Sequence, residues 1–342
     1  MGKTVGTARA RASGASQRRG AKRASQLVRT NSVTRALNII GDRWTLLILY
    51  CAFMGSQRFA EFQRTTGMAR SLLADRLKRL VKAGLIRRQL YQRRPARYAN
   101  HLTEMGADLY DAAMMIVAWE KHWHFDAKTE AHNLRHSVCG KKFTPDLRCS
   151  HCKKIVTARD VTLKEGPGAG LERRLGPRAQ RRSTVKSQRG ANQPPMLDRA
   201  IELLGDRWTS HVVAAAFYGH RRFNEFQDAL RIASNLLSER LARVVELGIL
   251  EKVKYQSRPA RFEYRLTDCG HDVFPLILEL MRWGDRWLDK GKGPPEILVH
   301  LPCKRPLGPV MTCDKCGEKV TPDEVERSPE SRRKAAGSHL HK

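Results

Sequence analysis

Between residues 70 and 83, apolar side chains recur at Leu72, Leu73, Leu77, Leu80 and Val81. On a helix turning about 100° per residue these fall on one flank, while Ser71, Ala74, Asp75, Lys78 and Lys82 fall on the other. The pattern predicts an amphipathic helix buried on its leucine side, with Gly84 placed just past its end to take a left-handed turn. Upstream, a helix around 32–40 is followed by Asp42, suited to cap an apolar helix reaching about residue 54. Phe59 and Phe62 then share one face of a short helix near 59–65. Downstream the period shortens to two, predicting strands over 85–91 and 97–102 separated by QRRPA. Thr103 caps a long closing helix from 103 to about 124.

The same pattern returns 164 residues later without a gap. Gly41-Asp42-Arg43-Trp44 recurs as Gly205-Asp206-Arg207-Trp208, Phe59 and Phe62 as Phe223 and Phe226, and Leu73, Arg76 and Leu77 as Leu237, Arg240 and Leu241. Arg94-Pro95-Ala96-Arg97 recurs as Arg258-Pro259-Ala260-Arg261, and Trp119 and Trp123 as Trp283 and Trp287. Such register over a hundred residues marks duplication of a whole domain. A third GDRW string, at 284–287, faces Glu120-Lys121-His122-Trp123 in the first copy and lies outside the repeat.

Helix, helix, turn, helix and then a hairpin tipped with arginines is the order of a winged helix-turn-helix. RALNIIGDRWTLLIL, RFAEFQ, LLADRLKRLVKAGLI, the hairpin and the closing helix together resemble the HxlR-type transcriptional regulators, over 31–124 and again over 195–288. The resemblance implies sequence-selective binding to duplex DNA and dimers built through terminal helices. Some members of that family sense oxidants through a cysteine just before the first helix. Here those segments read RTNSVTRAL and NQPPMLDRA, without cysteine, so the resemblance does not extend to that chemistry.

In a helix-turn-helix the early exposed residues of the second helix meet base edges. The recognition helices 70–83 and 234–247 are therefore expected in the major groove. Arg70 is a candidate for guanine, Ser71 for a base or phosphate, and Lys78 and Lys82 for phosphate. The second copy changes this face and keeps the buried one. Ser234 and Asn235 replace Arg70 and Ser71, Ala242 and Glu246 replace the lysines, and Arg243 is the remaining basic candidate. Either the copies read different half-sites, or the second supports the first, or its surface has drifted. Arg93, Arg94 and Arg97, with Arg258 and Arg261, are placed at the wing tips to grip phosphates or enter the minor groove.

Six of the eight cysteines also obey the repeat. His136, Cys139, Cys149 and Cys152, then His300, Cys303, Cys313 and Cys316, both read H-x2-C-x9-C-x2-C, while the spacers between them hardly agree. Three thiolates and an imidazole suit a tetrahedral structural zinc, one ion and one ribbon per copy. A thiol-redox pair is the other reading of CxxC. Cys51 and Cys269 fall outside the pattern and are expected to be buried or incidental.

The expected fold class is mainly α with small β-hairpin wings: tandem winged helix-turn-helix domains, each followed by a zinc ribbon. The divisions are a disordered basic tail (1–30), the first domain (31–125), a ribbon (132–156), a basic flexible linker (157–193), the second domain (194–289), a ribbon (296–322) and a disordered tail (323–342). A flexible linker of that length spans roughly 35 Å.

Charge adds a partner. The chain of 342 residues carries a net +30, with eight Lys/Arg and no acid in 1–30 and eight against two acids in 164–190. A polyanion is implied, and double-stranded DNA is favoured over a membrane because no basic amphipathic anchor stands out. No run approaches the roughly 18 apolar residues of a membrane span. The N-terminal bias toward Arg, Ser and Ala fits a solvated tail, or a transit peptide. Expected, then, is a cytoplasmic, nucleoid-associated bacterial regulator, a repressor in the commoner case. It is not an enzyme, for no phosphate-cradling loop or nucleophile motif is present. It would act as an intrachain pseudo-dimer or a homodimer, with room for a small-molecule effector. The rival is a nonspecific architectural DNA binder. The four repeated tryptophans belong either to each domain's own core or to a contact between the two.

Overall fold

A computed structural model describes residues 27–124, 134–173 and 198–327. The first copy contains α1 (Ser32–Ile40), α2 (Arg43–Phe53), α3 (Phe59–Thr66), α4 (Arg70–Lys82), the hairpin β2 (Ile86–Gln92) and β3 (Arg97–Leu102), α5 (Glu104–Ala107) and α6 (Tyr110–Trp123). The second repeats it as α7 (Asp198–Leu204), α8 (Arg207–Phe217), α9 (Phe223–Leu230), α10 (Ser234–Glu246), β9 (Leu250–Gln256), β10 (Arg261–Leu266), α11 (Asp268–His271) and α12 (Phe274–Leu288). Short strands lie between and after them. The expected mainly helical fold with two small wings is the one found.

The GDRW string is explained by two constraints. A Cβ at Gly41 would stand 2.4 Å from the Leu37 carbonyl oxygen, and one at Gly205 would stand 2.3 Å from that of Ile201. Only glycine lets the chain turn so sharply off the preceding helix. Asp42 then accepts from the backbone N–H groups of Trp44 and Thr45, capping α2, while Asp206 accepts from that of Thr209. The same carboxylates hold the helices α4 and α10: Arg76 of α4 lies 3.6 Å from Asp42, and Arg240 of α10 lies 2.8 Å from Asp206. The two strings also meet, the Arg43 N–H donating to the Gly205 carbonyl at 3.2 Å.

Closing helices cross between the copies. The expected single helix 103–124 is interrupted after α5. There Gly106 lies so close to the Leu85 carbonyl that a Cβ would sit 2.1 Å from it. The indole N–H of Trp119 donates to the Cys269 carbonyl at 3.0 Å, and that of Trp283 to the Met105 carbonyl at 2.8 Å. Trp123 donates to Asp272 at 2.9 Å, and Trp287 to Asp108 at 2.8 Å. Each bond is its mate shifted by 164 residues, the signature of an isologous contact about a twofold axis. The tryptophans thus join the copies. The third GDRW string serves this contact too: Asp285 accepts from the Ser32 hydroxyl at 2.5 Å, and Arg286 pairs with Glu104 at 2.7 Å. Gly284 leaves room for the Ser32 carbonyl, which would otherwise lie 2.5 Å from a Cβ.

Three divisions are corrected. Residues 27–29 of the supposed tail form β1 (Leu27–Arg29), paired antiparallel with β8 (Leu171–Arg173) from the supposed linker. Also in that linker, β7 (Val161–Glu165) pairs with β11 (Glu296–His300), and in the C-terminal tail β14 (Val325–Arg327) pairs with β4 (Leu134–His136). Backbone pairing gives these segments order that their polar composition concealed. The remainder of the expected tails and linker, 1–26, 174–193 and 328–342, lies outside the described residues.

One cross-copy contact has a pH consequence. Glu120 is buried, accepts from the Ala200 N–H at 2.7 Å through Oε1, and has no hydrogen-bond partner at Oε2 among the described residues. Burial pushes its carboxyl up to about 7. The folded chain therefore holds a proton that the unfolded chain releases near 4.5. The resulting stability is present below that value and is lost as pH rises through about 7. Glu120→Gln, compared with the native chain by thermal melting, is expected to match it at pH 4.5. At pH 8 the variant should melt higher by on the order of 3 °C. Equal melting at both pH values would refute the assignment.

Candidate nucleic-acid interface and metal clusters

On α4, Leu73, Leu77 and Leu80 are buried, and Arg70, Ser71, Lys78 and Lys82 are exposed, as the leucine stripe requires. Arg70 stacks over Phe59, 5.7 Å from the ring centroid, which steadies it at the start of the helix. On α10, Ser234 and Asn235 are exposed in the corresponding places. Arg243 departs from expectation. It is half-buried, bonded to Glu202 at 2.9 Å and Glu246 at 3.0 Å, so it braces α10 against α7 instead of presenting a free guanidinium.

Both wings are two-stranded antiparallel hairpins with their arginines outward. Arg93, Arg94 and Arg97 are exposed, as are Arg258 and Arg261. The wings contain residues that motif reading overlooked. Arg58 stacks on Tyr91 and Arg222 on Tyr255, at 5.3 and 4.8 Å, while Arg88 stacks on Tyr98 and Lys252 on Phe262, at 4.2 and 4.1 Å. Each cation–ring pair repeats at the offset of 164, and that periodicity was the available signal. The stacks stiffen the base of each wing and add positive charge beside its tip.

The cysteines assemble differently from the expected arrangement. His136 and Cys139 meet Cys313 and Cys316, whereas Cys149 and Cys152 meet His300 and Cys303. Each cluster draws half its ligands from each copy, which corrects the ribbon-per-copy reading. The reason lies in the strands. β6 (Pro145–Cys149) pairs with β13 (Pro309–Cys313) across the axis, carrying each CxxC turn to the other copy's histidine. β5 (Lys141–Phe143) pairs with β4 on its own side, and β12 (Arg305–Pro306) with β11, so the histidine turns stay with their copies.

Within each cluster the four donor atoms lie within 4.8 Å of one another. Cys139 and Cys313 sulfurs are 4.0 Å apart, those of Cys149 and Cys303 3.9 Å, and both His136 and His300 turn Nδ1 to a sulfur 3.4 Å away. A tetrahedral site with metal–sulfur bonds near 2.3 Å has sulfur–sulfur edges of about 3.8 Å, so both clusters fit a metal ion. Glu324 stands 4.0 Å from the buried Nε2 of His136, near it but beyond hydrogen-bond distance. Outside the clusters, burial pushes Cys51 up to about 12 and Cys269 to about 11, leaving both thiols protonated and poorly nucleophilic.

Comparison with known proteins decides the family. HxlR-like helix-turn-helix domains match residues 39–128 and 203–292, more than half the chain. The chain belongs to the HxlR-like family. An uncharacterised HTH-type transcriptional regulator of Mycobacterium tuberculosis is 44% identical over 131 residues, 38% of this chain and 83% of that protein. The regulator YvaP of Bacillus subtilis, also uncharacterised, is 32% identical over 96 residues, 28% of this chain and 89% of YvaP. Among solved structures, a candidate transcription factor from Pseudomonas aeruginosa is 31% identical, covering 39% of this chain and 95% of its own, with a TM-score of 0.31. The chain is thus an HxlR-type helix-turn-helix transcriptional regulator, which implies DNA binding, with two clusters able to hold metal ions. Its relatives are regulators, and among the described residues no single helix is long and apolar enough to cross a membrane.

Proposed function

We propose that the chain is a sequence-specific repressor that binds duplex DNA as its own dimer. The observation that supports this is the reciprocity of the cross-copy bonds, Trp119 to Cys269 against Trp283 to Met105. Operator half-sites mirror the twofold of the protein that reads them, and this chain supplies both halves of a twofold. Arg70 and Ser71, and Ser234 and Asn235, meet base edges in the major groove, while Lys78 and Lys82 meet phosphates. The wing arginines Arg93, Arg94, Arg97, Arg258 and Arg261 grip the backbone or the minor groove. Because the two reading faces differ in sequence, the operator is asymmetric.

Each cysteine–histidine cluster holds one structural zinc. With four protein ligands no position is left for substrate, so the metal staples the two copies and performs no catalysis. The protein works in the bacterial cytoplasm, on the nucleoid.

Selection of bound duplexes from a random library, using the full chain at moderate salt, tests the reading. Two different half-motifs at a fixed spacing near one helical turn, about 10 bp, are expected. Uniform recovery of all sequences, with a steep salt dependence, would leave only a nonspecific DNA coater.

A further inference from the structure

A cavity of about 590 Å³ opens where α1 of the first copy and β7 meet the second copy. Its inner wall is apolar, with Phe217 of α8 and Phe274, Ile277 and Met281 of α12. Its polar lining includes Arg221 and His271. The volume lies within the range of small-molecule sites, and an apolar wall with few convergent polar groups is their usual composition. Two polar groups there lack partners. Among the described residues, Nδ1 of His271 is buried without a hydrogen bond and the Arg221 guanidinium has no carboxylate within ion-pair distance. Arg265, also in the lining, is already matched by Glu263 at 3.0 Å, and Glu251 stands opposite Arg265 in the β9–β10 register. Arg222 and Arg265 set against Glu263 and Glu251 balance in charge, which leaves Arg221 and His271 as the groups without a counterpart among the described residues.

We propose that this cavity binds a small aromatic organic acid, its ring against Phe217 and Phe274, its carboxylate on Arg221 and His271. An unpaired buried nitrogen costs on the order of 1–3 kcal/mol, and a carboxylate oxygen would satisfy it. Burial together with nearby Arg159 disfavours the charged imidazole, so His271 acts as a neutral donor to the acid. The walls explain what the ligand does. They include Tyr264, Arg265 and Leu266 in β10, the second strand of the second wing, and Val161 to Leu163 in β7. β7 pairs with β11, whose last residue, His300, belongs to a metal cluster. An occupant thus changes the footing of the second wing, and by linkage bound DNA changes the affinity for the acid.

The test is titration of the full, metal-loaded chain with 2-naphthoate, followed by the probe's own fluorescence and without DNA, so that it stands apart from the DNA-reading proposal. Saturation at one naphthoate per chain is expected. Binding should weaken at least tenfold in His271→Phe and Arg221→Met, and also in Leu163→Trp, which fills the cavity from an exposed strand. Methyl 2-naphthoate, lacking the charge, should bind at least tenfold more weakly. No saturation up to millimolar probe, indifference to all three substitutions, or equal binding of the ester would each overturn the proposal.

Discussion

Replacing Cys139 and Cys316 together by serine is expected to leave one metal ion per chain, whereas replacing Cys139 and Cys152 leaves none. The first pair belongs to a single cluster and the second pair is divided between two. If each ribbon held its own ion, the ranking would reverse, because Cys139 and Cys152 would then share a site. Metal per chain, counted by elemental analysis after gel filtration, separates the two arrangements, and a reversed count would sink the exchanged one. The effect on stability is large. Structural zinc sites contribute roughly 10–16 kcal/mol of binding free energy in small finger peptides, and that energy is folding energy. Losing both ions is expected to lower the Tm by about 10 °C or more. It also removes one of the connections between the two copies, which stay joined by the tryptophan contact, by paired strands and by the chain itself. Operator affinity should then fall at least tenfold, since the reading heads no longer hold one spacing.

This exchange marks where the sequence stops being informative. Leu73, Leu77 and Leu80 had to face inward because helical periodicity allows nothing else, and the wings followed from alternation and the QRRPA turn. The ligand types were legible for the same reason: H-x2-C and C-x2-C turns survive while their spacers diverge. Partner choice was not. With identical spacing in both copies, Cys149 and its counterpart Cys313 are interchangeable on paper, and only the strand pairing of β6 with β13 decides between them. Residues 161–165 and 171–173 were hidden differently. Their composition is that of a linker, and they are ordered by backbone hydrogen bonds to distant strands, which composition does not encode. Arg243 is not the free cation its place on the helix suggested, because a basic residue on the right face can be paired by a neighbouring helix. Glu202, which pairs with it, is 41 residues away.

The recognition residues should separate specificity from affinity. Arg70→Ala removes a group able to bond a guanine edge in two places, a contact worth roughly 1–3 kcal/mol. On the selected operator it is expected to weaken binding about 5- to 150-fold and to relax base preference in one half-site only. Asn235→Ala should relax the other half-site, at the position where adenine is preferred. The wing behaves otherwise. Arg94 and Arg97 are exposed at a hairpin tip, where the proposed contacts are phosphates or groove edges. Their double replacement by alanine is expected to weaken every duplex by a similar factor and to reduce the salt slope by about 2. Binding measured against salt for matched and scrambled duplexes distinguishes the two patterns. Should Arg70→Ala weaken matched and scrambled duplexes alike, α4 would not be reading bases. Should Asn235→Ala leave both half-sites unchanged while Arg70→Ala alters one, the second copy would carry the fold of a reader without its function. Its retained leucines and reciprocal tryptophans would then be explained by support of the first.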